Sequence, residues 1–378
     1  MSVIYLDANA SAPVLEAVWE AMRPHLRAAN PASSHQAGRR ARQALEDARE
    51  RTASLLRAFP DEVVFTSGAT EANNLAILGL AGDPPARLLA SPIEHPCVVE
   101  PLQQLQGRGF EVSWLAVGSD GVVQVNDLLA GVTSDTRLAA LMLANHETGA
   151  VQPVAEAVRG LPPGVSLHCD AAAAAGKLDI DFHGLGVTTL TISAHKFHGP
   201  QGIGALLVCR QTKLRPLLRG GHQQQARRPG TEPVALAVGL AAALELATRE
   251  RQERWQRVLS LRQLFLEELQ RLAPPLVVNG PNSGGLPHTI NISFPGCQAD
   301  VLLMNLDLAG VCCSTGSACS SGSLLPSPVL QAMHVPEDRL RSAMRFSLSH
   351  LLTETEVIEA AGRVGAVVKR MRMSAGNV

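Results

Sequence analysis

Short apolar segments of strand length recur through the first half of the chain, and more polar segments that favour helices or turns separate them. The segments predicted to be buried strands are residues 63–66, 87–91, 110–117, 137–144, 165–169, 188–193 and 204–208. Strands that alternate with helices in this way indicate a mostly parallel sheet covered by helices on both faces. We therefore expect an α/β fold built on a seven-stranded sheet.

The pattern changes after a polar loop at residues 220–233. Two long helices follow and continue to about Leu272, the first rich in Ala and Leu and the second in Arg and Glu. Shorter strands and helices then alternate up to the C-terminus. We predict a large domain over residues 14–250 and a smaller α+β domain formed by residues 1–13 and 251–378.

Four of the predicted strands are followed by a polar residue that can act in catalysis or ligand binding. His95, Asn145, Asp170 and Lys196 come just after the strands at 87–91, 137–144, 165–169 and 188–193, respectively. In open α/β sheets, ligands bind beyond the carboxyl ends of the strands. These four strand ends therefore predict one shared site.

Lys196 is the most informative of these residues. The chain contains only four lysines against 29 arginines. A primary amine can lose its proton and bind a carbonyl covalently, which a guanidinium cannot do. Lys177 lies in an exposed-looking turn and is not a candidate. The alternative for Lys196 is a strand-end lysine whose amine reaches solvent.

A second feature is the strand-to-helix junction at Ser67-Gly68-Ala69-Thr70. Free N–H groups at a helix N-terminus bind phosphate, although an ordinary helix cap would have the same sequence. An amine, a carboxylate and a phosphate cradle together are the protein side of pyridoxal phosphate chemistry. Lys196 would hold the cofactor aldehyde, Asp170 the pyridine nitrogen and His95 the ring face. Asp170 as a turn residue and His95 as a helix cap are the alternatives.

Composition excludes several other classes. The net charge is −1 and aromatic residues make up 3%, so the chain has no basic surface or stacking platform for nucleic acid. The longest apolar stretch, 233–247, is too short to span a membrane and contains Glu245. Seven cysteines without CxxC pairs predict no metal site and indicate free thiols in a reducing compartment. We expect a cytoplasmic protein.

Several segments resemble those of cysteine desulfurases of the NifS/IscS type. They are Phe65–Asn74, Glu94-His95, Ala144–Pro153, His168–Asp170, Ser193–Gly204, Arg228–Thr231 and Gly316–Cys319. The resemblance continues in register from residue 3 to residue 360. It implies the aspartate aminotransferase-like fold of fold-type I pyridoxal phosphate enzymes, within the class V aminotransferase group. It further implies a homodimer that converts L-cysteine to L-alanine and transfers the sulfur to an acceptor protein.

The same resemblance implies a role for each matching residue. Lys196 binds the cofactor and carries a proton, Asp170 pairs with the ring nitrogen, and His95 stacks on the ring. The residues implied at the phosphate are Ala69, Thr70, Ser193 and His195, with Thr231 reaching it from the partner subunit.

The substrate end of the site is implied in the same way. Asn145 reaches the ring hydroxyl or the substrate carboxylate, and Arg345 holds that carboxylate in a bidentate fork. Cys319 attacks the substrate sulfur as a thiolate and becomes a persulfide. Its surroundings agree with this role, because Cys319 is the only cysteine in a stretch of Ser, Gly and Ala at 314–323, a composition typical of a flexible arm.

The chain departs from the family pattern near the cofactor and the substrate. Ala173 stands where Gln is frequent, His146 where Asn is usual, and Ser349-His350 where Gly-Arg is usual. Two alternatives therefore remain, a selenocysteine lyase and a catalytically degenerate member that serves as a scaffold for a sulfur-acceptor complex. The acceptor could belong to iron–sulfur cluster assembly, tRNA thiolation or DNA modification, and the sequence does not distinguish these.

Overall fold

The computed structural model describes residues 2–316 and 326–375. Its main feature is a seven-stranded sheet with the strand order β2-β8-β7-β6-β5-β3-β4. The strands are β2 (Val63–Thr66), β3 (Arg87–Ala90), β4 (Glu111–Trp114), β5 (Thr136–Ala140), β6 (Ser166–Asp170), β7 (Thr189–Ser193) and β8 (Gly204–Val208). Only β8 runs antiparallel to its neighbours, β2 and β7. The predicted mostly parallel sheet of seven strands is confirmed.

Helices pack on the faces of this sheet. In chain order they are α1 (Glu16–Met22), α2 (Gln36–Leu55), α3 (Ala69–Leu80), α4 (Pro96–Gln106), α5 (Val125–Ala130), α6 (Val154–Gly160), α7 (Phe182–Leu185) and α8 (Val234–Arg249). The first helix is short. It ends at Met22 and continues as a single 3₁₀ turn, Arg23–His25, because Pro24 has no N–H to donate to a regular helical turn.

The rest of the described chain forms a second group of elements. Its strands are β1 (Ile4–Tyr5), β9 (Val277–Asn279), β10 (Thr289–Ser293), β11 (Val311–Cys312) and β12 (Ala343–Ser347). Its helices are α9 (Arg251–Leu272), α10 (Ala299–Leu308), α11 (Pro328–Ala332), α12 (Glu337–Leu340) and α13 (Glu354–Ala375). β12, β10 and β9 form an antiparallel sheet, and β1 pairs in parallel with β11.

Two large hydrophobic cores correspond to these two groups. The first is built on the seven-stranded sheet and α8, and the second on α9, α13 and the smaller sheets. The first core also takes in apolar side chains from later in the chain, including Leu286 and Leu330. The division at residue 250, between α8 and α9, stays a prediction.

Within residues 2–316 and 326–375, no helix combines the length and the apolar character needed to cross a bilayer.

Candidate active site

A cavity of about 380 Å³ opens at the carboxyl ends of β3, β5, β6 and β7. The side chains that follow these strands face one another because parallel strands all end at the same edge of the sheet. The predicted site residues that line the cavity are Ala69, Thr70, His95, Asp170, Ser193, His195, Lys196 and Arg345. The structure therefore brings together most of the residues singled out in the sequence.

Lys196 ends a 3₁₀ turn, Ala194–Lys196, that follows β7 directly. Its amine donates hydrogen bonds to the backbone carbonyls of Asn9 and Ala10, the latter at 3.2 Å. These carbonyls belong to the turn after β1, so the lysine side chain connects the end of β7 to that turn. Its amine lies at the cavity wall, within reach of a bound ligand.

Asp170 is the last residue of β6 and is almost completely buried. Its carboxylate accepts hydrogen bonds from the amide of Asn73 at 2.7 Å and from the N–H of Ala172 at 2.9 Å. Burial raises the pKa of Asp170 above its ordinary value, because its effect is larger than that of these two donors, which lower the pKa. A buried carboxylate that faces a cavity is suited to a cationic partner such as a protonated ring nitrogen.

His95 is the N-cap of α4, and its Nδ1 accepts a hydrogen bond from the N–H of Cys97 at 3.1 Å. The neutral ring therefore carries its proton on Nε2. Burial, together with the charges of Lys196 and Arg345, lowers the pKa of His95 to about 4. His95 is thus a helix cap, as the alternative interpretation held, and at the same time it lines the cavity with an uncharged ring.

The start of α3 forms the opposite wall of the cavity. Its N-cap residue is Gly68, which has no side chain with which to cap the first turn. The nearby hydroxyl of Ser193 is buried and has no hydrogen-bond partner within the described protein. Glu71 also lines the cavity, and its carboxylate is paired with the guanidinium of Arg228, 2.8 Å away. The free N–H groups and the hydroxyl leave a place for an anion.

Arg345 lies on β12 and is 1% exposed. One terminal nitrogen pairs with Asp7 at 2.8 Å, and the other lies 3.4 Å from the carbonyl oxygen of His146. The Nε of Arg345 is buried and has no hydrogen-bond partner among the residues that the structure describes. The guanidinium therefore keeps donors for a carboxylate bound in the cavity.

Two predicted residues, Asn145 and Thr231, lie apart from the cavity wall. The side chain of Asn145 accepts from the N–H groups of Glu147 and Thr148 and donates to the carbonyl of Ile93, which places it behind the wall. Thr231 is exposed and does not line the cavity of its own chain. Cys319 lies outside the described residues. The roles of all three stay predictions.

Lys177 differs from its sequence-based interpretation. Its amine is not at an exposed turn but donates to the backbone carbonyl of Lys196 at 2.8 Å, at the edge of a second cavity of about 60 Å³ behind the main one. Burial and the charge of Lys196 lower the pKa of Lys177 to about 7. The turn folds back under Lys196, which the local composition did not reveal.

Sequence reasoning gave no role to three buried polar residues that build the site. Asn9 and Asn73 contact Lys196 and Asp170, respectively, and Glu94 accepts the N–H of Met142 at 2.6 Å. Burial raises the pKa of Glu94 to about 8. For Asn73 a signal existed, because an Asn on the apolar face of a helix needs a partner. Across residues 2–316 and 326–375, no group of three or more side chains could hold a metal ion.

A lysine, an aspartate and an open helix N-terminus at the carboxyl edge of a mostly parallel sheet define the fold class of pyridoxal phosphate-dependent transferases. The chain belongs to the aminotransferase class-V family, which matches residues 4–359. This confirms the resemblance found in the sequence, the fold class and the expectation of an enzyme.

Individual relatives extend over almost the whole chain. The cysteine desulfurase IscS of Dictyoglomus turgidum is 39% identical over 98% of this chain and 95% of its own length. A cysteine desulfurase of Homo sapiens is 38% identical over 98% of this chain and 82% of its own.

Solved structures give the same picture. A NifS-like protein superposes with a TM-score of 0.92 at 33% identity, covering 97% of this chain and 100% of its own. The structure of SspA in complex with cysteine has a TM-score of 0.82 at 33% identity and covers 92% of this chain and 99% of its own.

Proposed function

We propose that the protein is a cysteine desulfurase that uses pyridoxal phosphate. It would take sulfur from L-cysteine, release L-alanine and hold the sulfur as a persulfide on Cys319 for transfer to an acceptor. The observation that carries this proposal is the convergence of Lys196, Asp170, Arg345 and the N-terminus of α3 on one cavity. The similarity to cysteine desulfurases over nearly the full chain supports it.

The residues present fit the cofactor. The unpaired hydroxyl of Ser193 and the uncapped first turn of α3 match a phosphate group, and the buried carboxylate of Asp170 matches a ring cation. Lys196 would hold the aldehyde after its amine leaves the carbonyls of Asn9 and Ala10. When bound, the cofactor supplies an electron sink for bonds broken at the substrate Cα.

The other side chains orient the substrate and move protons. Arg345 would bind the carboxylate with its free donors while Asp7 keeps the guanidinium in place. His95 presents an Nε2 proton to the cavity, so it acts first as a hydrogen-bond donor. Lys196, once released, is placed to carry a proton to and from the substrate Cα.

Sulfur delivery depends on Cys319 and on the residues at either side of it. The backbone of Ser314 pairs with that of Arg345, and the hydroxyl of Ser327 donates to Glu147 at 2.5 Å. Glu147 follows His146, which lines the cavity. The described residues on both sides of Cys319 are therefore anchored beside the site.

The test is the formation of L-alanine from L-cysteine by the protein loaded with pyridoxal phosphate, in the presence of a thiol reductant. We expect wild-type protein to release equal amounts of alanine and sulfide. Cys319→Ala should bind the cofactor and lose the activity. Borohydride reduction followed by peptide mapping should place the pyridoxyl label on Lys196. A loaded wild-type protein that makes no alanine would contradict the proposal.

The remaining expectations belong to the same proposal. Thr231 is exposed and outside its own cavity, which suits a contact with a partner subunit's phosphate site in a homodimer. Light scattering should then give twice the chain mass, and mixing Thr231→Val with Lys196→Ala chains should restore part of the cofactor affinity. A cytoplasmic location and an acceptor for iron–sulfur assembly or another thiolation pathway are proposed on the same basis.

A further inference from the structure

Among the described residues that line the cavity, His146 is the one whose ring has two buried nitrogens without a hydrogen bond. Both Nδ1 and Nε2 are shielded from solvent and make no hydrogen bond among the described residues. The nearest acidic atom, Oε1 of Glu147, lies 3.8 Å from Nε2, which is too far for a hydrogen bond. Leaving such groups unpaired costs free energy, so a buried pair of this kind needs a reason.

The position of the ring is fixed from its backbone. The carbonyl of His146 accepts from the amide of Asn9 at 3.0 Å and lies 3.4 Å from Arg345. The ring itself packs edge-on against His95, with the centroids 5.1 Å apart. It therefore lies between the residue expected at the cofactor ring and the residue expected at the substrate carboxylate. His146 is also one of the residues that line the cavity.

The surroundings keep this imidazole neutral. Burial is the main cause that lowers the pKa of His146, and the nearby His95, Arg345 and Lys196 add to it. A neutral imidazole offers one N–H donor and one acceptor nitrogen. A carboxylate only accepts hydrogen bonds, so it satisfies the donor nitrogen and leaves the other unpaired. The acceptor nitrogen needs a ligand that donates.

We propose that His146 binds the thiol of the substrate, with its acceptor nitrogen receiving the S–H hydrogen bond. This inference rests on the proposed function and adds a residue that selects for a thiol-bearing amino acid. The amine of L-cysteine is committed to the cofactor and its carboxylate to Arg345, which leaves the S–H as its remaining donor. Cysteine would thus be distinguished from an amino acid of similar size without a thiol.

The experiment compares three variants. His146→Phe keeps a flat ring and removes both nitrogens, and His146→Asn keeps a donor and an acceptor. Thr191→Val is the matched control, because the hydroxyl of Thr191 is also buried without a hydrogen-bond partner in the described part of the chain, while Thr191 does not line the cavity. Measured quantities are kcat/KM for L-cysteine and L-selenocysteine, the inhibition constant of L-alanine, the affinity for pyridoxal phosphate and the unfolding midpoint of the cofactor-free protein.

We expect His146→Phe to lower kcat/KM for L-cysteine by roughly threefold to tenfold, the value of one lost hydrogen bond. The inhibition constant of L-alanine, which has no thiol, should stay unchanged. The kcat/KM for L-selenocysteine should fall less, because the selenol is ionised at neutral pH and has no proton to donate. His146→Asn should recover part of the loss. Neither His146→Phe nor Thr191→Val should lower the unfolding midpoint, since each removes only unpaired polar atoms.

Two results would overturn the inference. One is an unchanged kcat/KM for L-cysteine in His146→Phe, and the other is an equal loss of L-alanine and L-cysteine binding, which would indicate a structural role. If the wild-type protein binds cofactor but does not turn over L-cysteine, the proposed function fails separately. The ratio of L-cysteine to L-alanine affinities, which needs no turnover, still decides the role of His146.

Discussion

Burial sets the charge of single side chains near Lys196, and Lys177 is a clear example. Its native pKa is about 7, whereas the ordinary value is 10.5. Between these values the unfolded chain binds more protons than the folded one, so the free energy of unfolding rises as pH rises through that window. Lys177→Met should abolish this rise.

Urea unfolding of the cofactor-free protein at several pH values between about 7 and 10 would measure the effect. The matched control is Lys213→Met, since Lys213 is exposed. A Lys177→Met protein with the same slope against pH as the wild type would show that the amine of Lys177 is not desolvated in solution.

Glu94 should behave in the opposite direction. Burial raises its pKa from 4.5 to about 8, so between these values the folded state binds the extra proton and stability falls as pH rises. Glu94→Gln keeps the oxygen that accepts from Met142 and removes the titration, so stability should no longer fall across that range. Urea unfolding from about pH 5 to 8, with the exposed Glu156→Gln as control, tests this. If the free energy of unfolding fell equally with pH in the Glu94→Gln and Glu156→Gln proteins, Glu94 would not be the source of the fall.

At the scale of elements, the sequence predicted strands within a few residues, because most of them, unlike the edge strand β4, are nearly continuous apolar runs buried on both sides. It also placed His95, Asp170 and Lys196 at one edge, since that follows from strand direction alone. It could not reveal that Asn9, almost two hundred positions away, meets Lys196. Nor could it show that β8 runs antiparallel beside the α3 junction, because strand order depends on long-range packing.

That junction makes a steric prediction. A Cβ added at Gly204, the first residue of β8, would lie 2.7 Å from the carbonyl oxygen of Ile192 and 2.8 Å from the backbone carbon of Gly68. Both neighbours are backbone atoms, so the junction itself must move. Gly204→Ala should destabilise the protein by about 1–3 kcal/mol and weaken pyridoxal phosphate binding by displacing the start of α3.

Gly362→Ala is the matched control, because its added Cβ would have no described atom within 4 Å apart from its own stretch of helix, and the residue is in α13. It should stabilise the protein by about 0.5–1 kcal/mol, since Ala is the better helix former, and leave cofactor binding unchanged. Urea unfolding and cofactor titration give both quantities. Equal cofactor affinity in the Gly204→Ala protein would show that the cradle does not depend on this packing.

For the whole molecule, the site depends on the meeting of two cores. Lys196 and His146 come from the larger core region, and Asn9 and Arg345 come from the segments that accompany the smaller one. The sequence predicted a smaller second domain from the change of pattern after residue 220. It did not predict that Leu286 and Leu330 would pack into the first core, because an apolar residue in a loop or a short helix carries no information about its partner.

If the two cores are separate cooperative units, calorimetry of the protein should show two unfolding transitions. Pyridoxal phosphate at about a hundred times its dissociation constant should stabilise mainly the larger unit, by about 2.7 kcal/mol. Phe265→Ala removes a fully buried ring that packs against Phe346 in the second core. It should therefore lower the free energy of unfolding of the second core alone, by about 3–5 kcal/mol. Phe182→Ala, equally buried in the first core, is the matched variant and should destabilise the cofactor-sensitive transition instead.

The contradicting outcome is a single transition that shifts with cofactor addition, with Phe265→Ala and with Phe182→Ala alike. It would mean that the contacts of Asn9 and Arg345 with His146 join the cores into one cooperative unit, and the division at residue 250 would then be wrong.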